Sequence, residues 1–125
     1  MAIDGNPWAV TFKDLVTDAV FSPDSKRLAA IAKDGDLWKV AVDGGAWSNT
    51  FDMAWKPVFS PDSSNIAAKV EKNGKYTIAV NDKLWSKKCE AAWDPVFSSD
   101  SGKILLRTIE DGTYYRRIIP VSDLI

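Results

Sequence analysis

Ser22, Ser60 and Ser98 each stand two residues ahead of an aspartate, namely Asp24, Asp62 and Asp100. A hydroxyl beside a carboxylate is raw material for a nucleophilic site, provided that a base takes the proton. The commonest such base, which is also the commonest metal ligand, is histidine, and the chain has none. A catalytic serine is moreover expected once, not three times at equal spacing, so these residues read as turn formers. Cys89 is the single cysteine. It aligns with Phe12 and Phe51, an apolar position, so neither an internal disulfide nor a reactive thiol is expected. Asp14, Asp52 and Glu90 occur once per repeat. Closed into a ring they would form an acidic collar able to hold a cation weakly; otherwise they are solvated loop acids. Lys56 and Asp94 carry different charges at equivalent sites, which argues against a symmetric ion site beside them. The residues therefore predict no enzyme: no catalytic residue, no cofactor-binding residue, no cofactor and no tightly held metal.

The equal spacing is the larger fact. Val-Phe-Ser-Pro-Asp-Ser occurs at 20–25 and 58–63, and Val-Phe-Ser-Ser-Asp-Ser at 96–101. A fixed period of about 38 residues marks a chain built from stacked copies of one supersecondary unit. Trp47 and Trp85, Trp55 and Trp93, Pro57 and Pro95, and Ile66 and Ile104 keep that register, as do Trp38, Tyr76 and Tyr114. The repeats run approximately over 3–41, 42–79 and 80–117, with a final strand end at 118–125, so that 1–125 is one module. The first unit carries one extra residue between Phe12 and Val20. Residues recurring at equivalent positions are assigned to packing: Trp47, Trp55, Trp85 and Trp93, with Phe21, Phe59 and Phe97.

Each unit reads as four short strands. In the second, these are Trp47–Phe51, Trp55–Phe59, Ile66–Val70 and Tyr76–Val80. The last alternates Tyr76, Ile78 and Val80 against Thr77 and Ala79, the period of a strand. Ser60-Pro61-Asp62-Ser63 is a turn with φ preset by proline. Asn73-Gly74 is a hairpin signal, since both residues tolerate the positive φ such a turn needs. No window holds a helical period for the length a helix requires. The predicted fold is all-β, and four antiparallel strands per unit of this length make a propeller blade. Pro57 and Pro95 cannot donate to a ladder and suit an edge, which places the Trp55 run innermost, beside the channel.

The strand order along the chain then ends without an outermost strand for the third blade, while a spare one sits at residues 8–12. Three blades are too few to close. The expectation is a β-propeller of three four-stranded blades closing by oligomerisation, with residues 8–12 completing the third blade of a neighbouring copy. A homodimer gives six blades and a homotrimer nine. The other reading of the open array is a fragment, natural or engineered, whose main property is self-assembly into such a ring.

Composition narrows the partners. Hydrophobic residues are 46% and charged residues 26%, with a net charge of −1, as in an ordinary soluble domain. No basic cluster exceeds a pair such as Lys87-Lys88, so nucleic-acid binding is not expected. No apolar run approaches the roughly 20 residues of a membrane span. The start has neither a basic nor an apolar leader region, which with the lone cysteine predicts a cytoplasmic protein.

Phe-Ser-Pro-Asp-Ser followed by an apolar strand, as in Arg27-Leu28-Ala29-Ala30 and Asn65-Ile66-Ala67-Ala68, resembles the WD-repeat-like blades of the TolB type. The resemblance covers all three units, and it implies fold rather than function. The Gly-His mark of true WD repeats is missing, and the Trp-Asp dipeptide present, Trp93-Asp94, sits at the start of the innermost strand and not at the end of the third. Ser25, Ser63 and Ser101 stand where such blades usually carry glycine, which predicts a strained turn. The longer pattern, including Ala-Val-Asp-Gly and Gly-Lys-Tyr-Thr-Ile-Ala-Val, resembles the TmcD-like propeller subunits of a transmembrane electron-transfer complex. That resemblance implies a non-catalytic scaffold or protein-interaction module with a protein partner and no cofactor of its own. A propeller accessory to an enzyme such as a peptidase is the remaining alternative.

Overall fold

The computed structural model describes residues 2–3, 6–7 and 15–125. All of its sheets are antiparallel and none is closed. β1 (Ala2–Ile3) pairs with β2 (Asn6–Pro7). The first large sheet runs β3 (Leu15–Phe21), β4 (Leu28–Asp34), β5 (Leu37–Val42), β6 (Gly45–Ala46). In the second, β7 (Met53–Ala54) and β8 (Val58–Phe59) share one edge of β9 (Ile66–Lys72), which β10 (Lys75–Val80) and β11 (Lys83–Leu84) follow. In the third, β12 (Ala91–Ala92) and β13 (Val96–Phe97) share one edge of β14 (Lys103–Glu110), and β15 (Thr113–Pro120) takes the other. Among the described residues nothing pairs with the outer edge of β15. A 3-10 turn, Val121–Asp123, follows it. No helix among the described residues is long and apolar enough to cross a membrane.

Two of the expected strands differ from their expected bounds. Of the run Trp55–Phe59 only Val58–Phe59 is strand, as β8, and Pro57 lies in the gap that separates it from β7; a residue without N–H cannot hold the ladder there. The first sheet has Ala19 at that position and β3 is unbroken, although its register shifts between Thr17 and Val20. The expected strand Trp47–Phe51 instead begins two residues earlier at β6. It touches the sheet again through Trp47 N–H to Val40 O and a bridge between Trp38 and Phe51. Lys83–Cys89 repeats this pattern, with Trp85 N–H on Ile78 O and a bridge between Tyr76 and Cys89. The hairpin signal at Asn73-Gly74 is realised as read, and Asp111-Gly112 repeats it in the third sheet. Asn73 and Gly74 have φ of 55° and 77°, and Asp111 and Gly112 have 50° and 78°.

The sheets stack face to face, and period-2 alternation decides which side chains meet. Ile31, Val40 and Phe51 of the first sheet pack on Ala54, Ala68, Val70 and Ala79 of the second. Ala67, Ile78 and Val80, on the opposite face of the second, pack on Phe97, Ile104 and Leu106 of the third. Each branched side chain so buried contributes about 1.5–3 kcal/mol. Small residues on one face let the larger ones of the next sheet approach. Leu28, Ala30 and Ala41 form a smaller cluster with Val16 on the remaining face of the first sheet. The first strands of the first two sheets, with Asp94 of the third, line one cleft of about 410 Å³ that includes Phe21, Lys56, Pro57 and Phe59.

Candidate interaction surface

The recurring Ser-x-Asp segments are turns, and the structure gives them a second task. Ser60 O accepts from Ser63 N–H at 2.8 Å. The Ser60 hydroxyl donates to Asp62 and accepts from Asn65 N–H. Asp62 accepts from Ser64 N–H and Oγ–H. These bonds, led by the Ser60 hydroxyl, hold the Asp62 carboxyl down to about 2. Asp24 and Asp100 are lowered in the same way, chiefly by the hydroxyls of Ser22 and Ser98. Carboxylates so engaged are acceptors and not bases.

The serines standing where glycine was usual do adopt positive φ: 62° at Ser25, 66° at Ser63 and 64° at Ser101. Two of them link neighbouring sheets. Ser63 Oγ accepts from Asp24 N–H at 3.2 Å, and Ser101 Oγ accepts from Asp62 N–H at 3.0 Å. Ser63 and Ser101 are buried, whereas Ser25 is exposed. Glycine would relieve the backbone but could not accept these bonds.

Asp52 and Glu90 lie in equivalent places. Asp52 accepts from Asn73 N–H and Glu90 from Gly112 N–H, both at 2.8 Å. Each therefore pins the hairpin of its own sheet. Asp14, the third member of the expected collar, lies outside the described residues, as does the expected strand at 8–12. Lys56 and Asp94 do share the cleft. Cys89 is fully buried, and burial pushes its thiol up, which fits an apolar filling role.

The repeated aromatics sit at the sheet margins. Trp55 lies 5.9 Å from Tyr76 with the Lys69 ammonium 4.3 Å above it. Trp93 repeats this with Tyr114 at 6.0 Å and Arg107 at 5.5 Å. Trp47 and Trp85 pack against the two interior clusters. Trp93 is 38% exposed, so it is less of a core residue than its recurrence implied. One polar group escaped the sequence reading. Glu110 accepts from the Thr108 hydroxyl and, at 2.6 Å each, from Nε and Nη2 of Arg117. The Arg117 guanidinium, 5.8 Å from the Trp85 ring, holds the Glu110 carboxyl below its ordinary range. The signal was present as a departure from the repeat: Thr108 and Arg117 replace Val70 and Ala79.

The third sheet presents an open face. Leu105 and Ile118, paired across β14 and β15, are 44% and 66% exposed. Their equivalents in the second sheet, Ala67 and Val80, are fully buried. With Val96, Arg107 and Arg116 they line a groove of about 360 Å³. At the other end of the stack Phe21 is 58% exposed, while its equivalent Phe97 is 9%. Compared with family models and with curated proteins, the chain matches none.

Proposed function

We propose that this chain is a non-catalytic β-propeller module, a protein-interaction scaffold, that joins other copies of itself head to tail into a ring. Two copies give six blades, the preferred state, and three give nine. The observation that carries this reading is the third sheet, whose face is exposed and whose β15 edge is unpaired among the described residues. Four features of the described residues support it. The sheets share a strand order, they stack in sequence, each contributes to one cleft, and the last face exposes residues that are buried one sheet earlier. The register of the β1–β2 pair is a further support. Ala2 opposite Pro7 and Ile3 opposite Asn6 repeat Ala41 opposite Ala46 and Val42 opposite Gly45. Residues 2–3 and 6–7 thus have the pairing found where Ala41–Val42 meet Gly45–Ala46, ahead of an outermost strand. Covering about 400 Å² of apolar surface on one open face contributes about 10 kcal/mol gross. That is comparable with the stability of a whole domain, about 5–15 kcal/mol. The resemblance to propeller subunits of electron-transfer complexes makes a larger redox assembly the natural setting for such a scaffold.

Light scattering at micromolar concentration tests the reading. The expected mass is twice 13.8 kDa, and a trimer would preserve closure while changing the blade number. A monodisperse monomer would refute it. Deleting residues 1–12 is expected to abolish assembly and expose the β15 edge to aggregation.

A further inference from the structure

The two sheet-to-sheet junctions inside the chain show what a third, between copies, would contain. The turn ladder occurs at both junctions, an apolar contact and an ion pair join it at the second, and each leaves one half unused at either end of the stack.

The first contact is the turn ladder. Ser63 accepts from Asp24 N–H and Ser101 from Asp62 N–H. The next donor in register is Asp100 N–H and the next acceptor is Ser25 Oγ, which is exposed at the opposite end. The second is apolar. Phe97 belongs to the cluster that contains Ala67 and Val80 of the preceding sheet. Phe21 is the equivalent of Phe97, and Leu105 and Ile118 are the equivalents of Ala67 and Val80; all three are exposed. The third is electrostatic. Lys69 Nζ lies 3.9 Å from Asp94 of the following sheet. The residue equivalent to Lys69 is Arg107, and the one equivalent to Asp94, two units earlier, is Asp18. Asp18 is exposed, and neither residue enters an ion pair among the described residues. Between the first and second sheets the same two positions hold Ile31 and Lys56. Opposite charges thus stand at this pair of positions within the chain only between the second and third sheets, and again across its two ends.

We infer that the open face of the third sheet binds the exposed inner end of the first sheet of a second copy of this chain, around Asp18, Phe21 and Ser25, since Leu28, Ala30 and Ala41 are already buried within one copy. In that junction Asp18, Phe21 and Ser25 of one copy meet Arg107, Ile118 and Asp100 of the other. The inference rests on the ring closure proposed above and adds the residues that set its register. The Asp18–Arg107 pair selects orientation, because like charges brought together in a wrong register repel. Phe21 supplies the apolar anchor at the centre of the contact.

Charge reversal tests it on the intact 125-residue chain. Arg107, Phe21 and Ile118 are exposed; Asp18 is exposed but has φ 54°, so circular dichroism verifies the fold of each variant, and Asp18→Asn, which tolerates that backbone, removes the charge alone and is expected to weaken self-association as well. Asp18→Arg and Arg107→Asp are each expected to weaken self-association about tenfold or more in sedimentation equilibrium. The double variant is expected to recover to within about threefold of the parent chain. Phe21→Ser is expected to remove assembly at micromolar concentration. A parent chain that is monomeric overturns the closure on which this inference rests. A parent chain that assembles, with single reversals that assemble equally well, overturns the junction and leaves closure standing. Single reversals that weaken assembly without rescue in the double variant overturn the pairing of Asp18 with Arg107. Another protein displacing one copy from the third sheet, with the parent chain monomeric without it, would assign that face to a different partner.

Discussion

Replacing Ser101 with alanine and with glycine separates two effects that the folded turn combines. Ser101 is buried, has φ 64°, and accepts from Asp62 N–H at 3.0 Å. Alanine keeps a Cβ at positive φ, so the backbone strain of about 1–2 kcal/mol is unchanged. It removes the acceptor, which costs about 1 kcal/mol for the hydrogen bond, and more if the N–H stays dry. Glycine removes the same acceptor but also removes the strain, less about 0.4–1 kcal/mol for the extra freedom of the unfolded chain. Alanine is therefore expected to destabilise by about 1–2 kcal/mol, and glycine to fall within about 0.5 kcal/mol of the parent chain. Urea unfolding at fixed protein concentration reads this out directly, since assembly would otherwise make the midpoint depend on concentration. The slope is expected to be unchanged and the midpoints to order as parent, glycine, alanine. Alanine and glycine variants of equal stability would refute the positive-φ argument. An alanine variant as stable as the parent would refute the cross-sheet bond.

Trp55→Ala is expected to cost about 3 kcal/mol and Trp93→Ala about 2 kcal/mol or less, because Trp93 is 38% exposed; equal losses in urea unfolding would contradict the difference in burial. Asp52→Ala and Glu90→Ala each remove the acceptor of a hairpin N–H, and each should cost about 1 kcal/mol while leaving calcium titrations flat; a cation-dependent melting temperature lost in these variants would favour the acidic collar. Acidification should destabilise the chain as pH falls from about 4 towards 2. The carboxyls of Asp24, Asp62 and Asp100 are lowered in the fold, Asp62 to about 2, against about 3.9 in an unfolded chain. Their contribution is thus complete above the unfolded value and lost on passing down through the folded one; a flat stability profile over that interval in denaturant titrations would contradict the turn bonding. Cys89 should react with a thiol reagent only at the rate of unfolding, because it is buried with its thiol raised, and rapid labelling of the native chain would count against its place in the core.

Period and chemistry along the chain were enough to specify the units. Alternation in Tyr76–Val80 follows from a backbone that turns its side chains to opposite faces. Asn73-Gly74 dictates a hairpin because few other residues accept two positive φ values in succession. Pro57 and Pro95 predicted an edge, and the missing N–H went further and split the strand. These are effects of a residue on its own backbone, and they travel with the residue. The other outcomes depend on what lies opposite after stacking. Asp52 and Glu90 looked like loop acids until folding brought hairpin N–H groups to them. Ser63 and Ser101 looked like strained substitutes for glycine until the neighbouring turn arrived with a donor. Thr108, Glu110 and Arg117 form a bonded group only because β14 and β15 pair in one register. Phe21 and Phe97 share the local sequence Val-Phe-Ser, yet one is exposed and the other buried. Nothing within a unit distinguishes them. Burial depends on whether another sheet lies against that face, and that is a property of the stack.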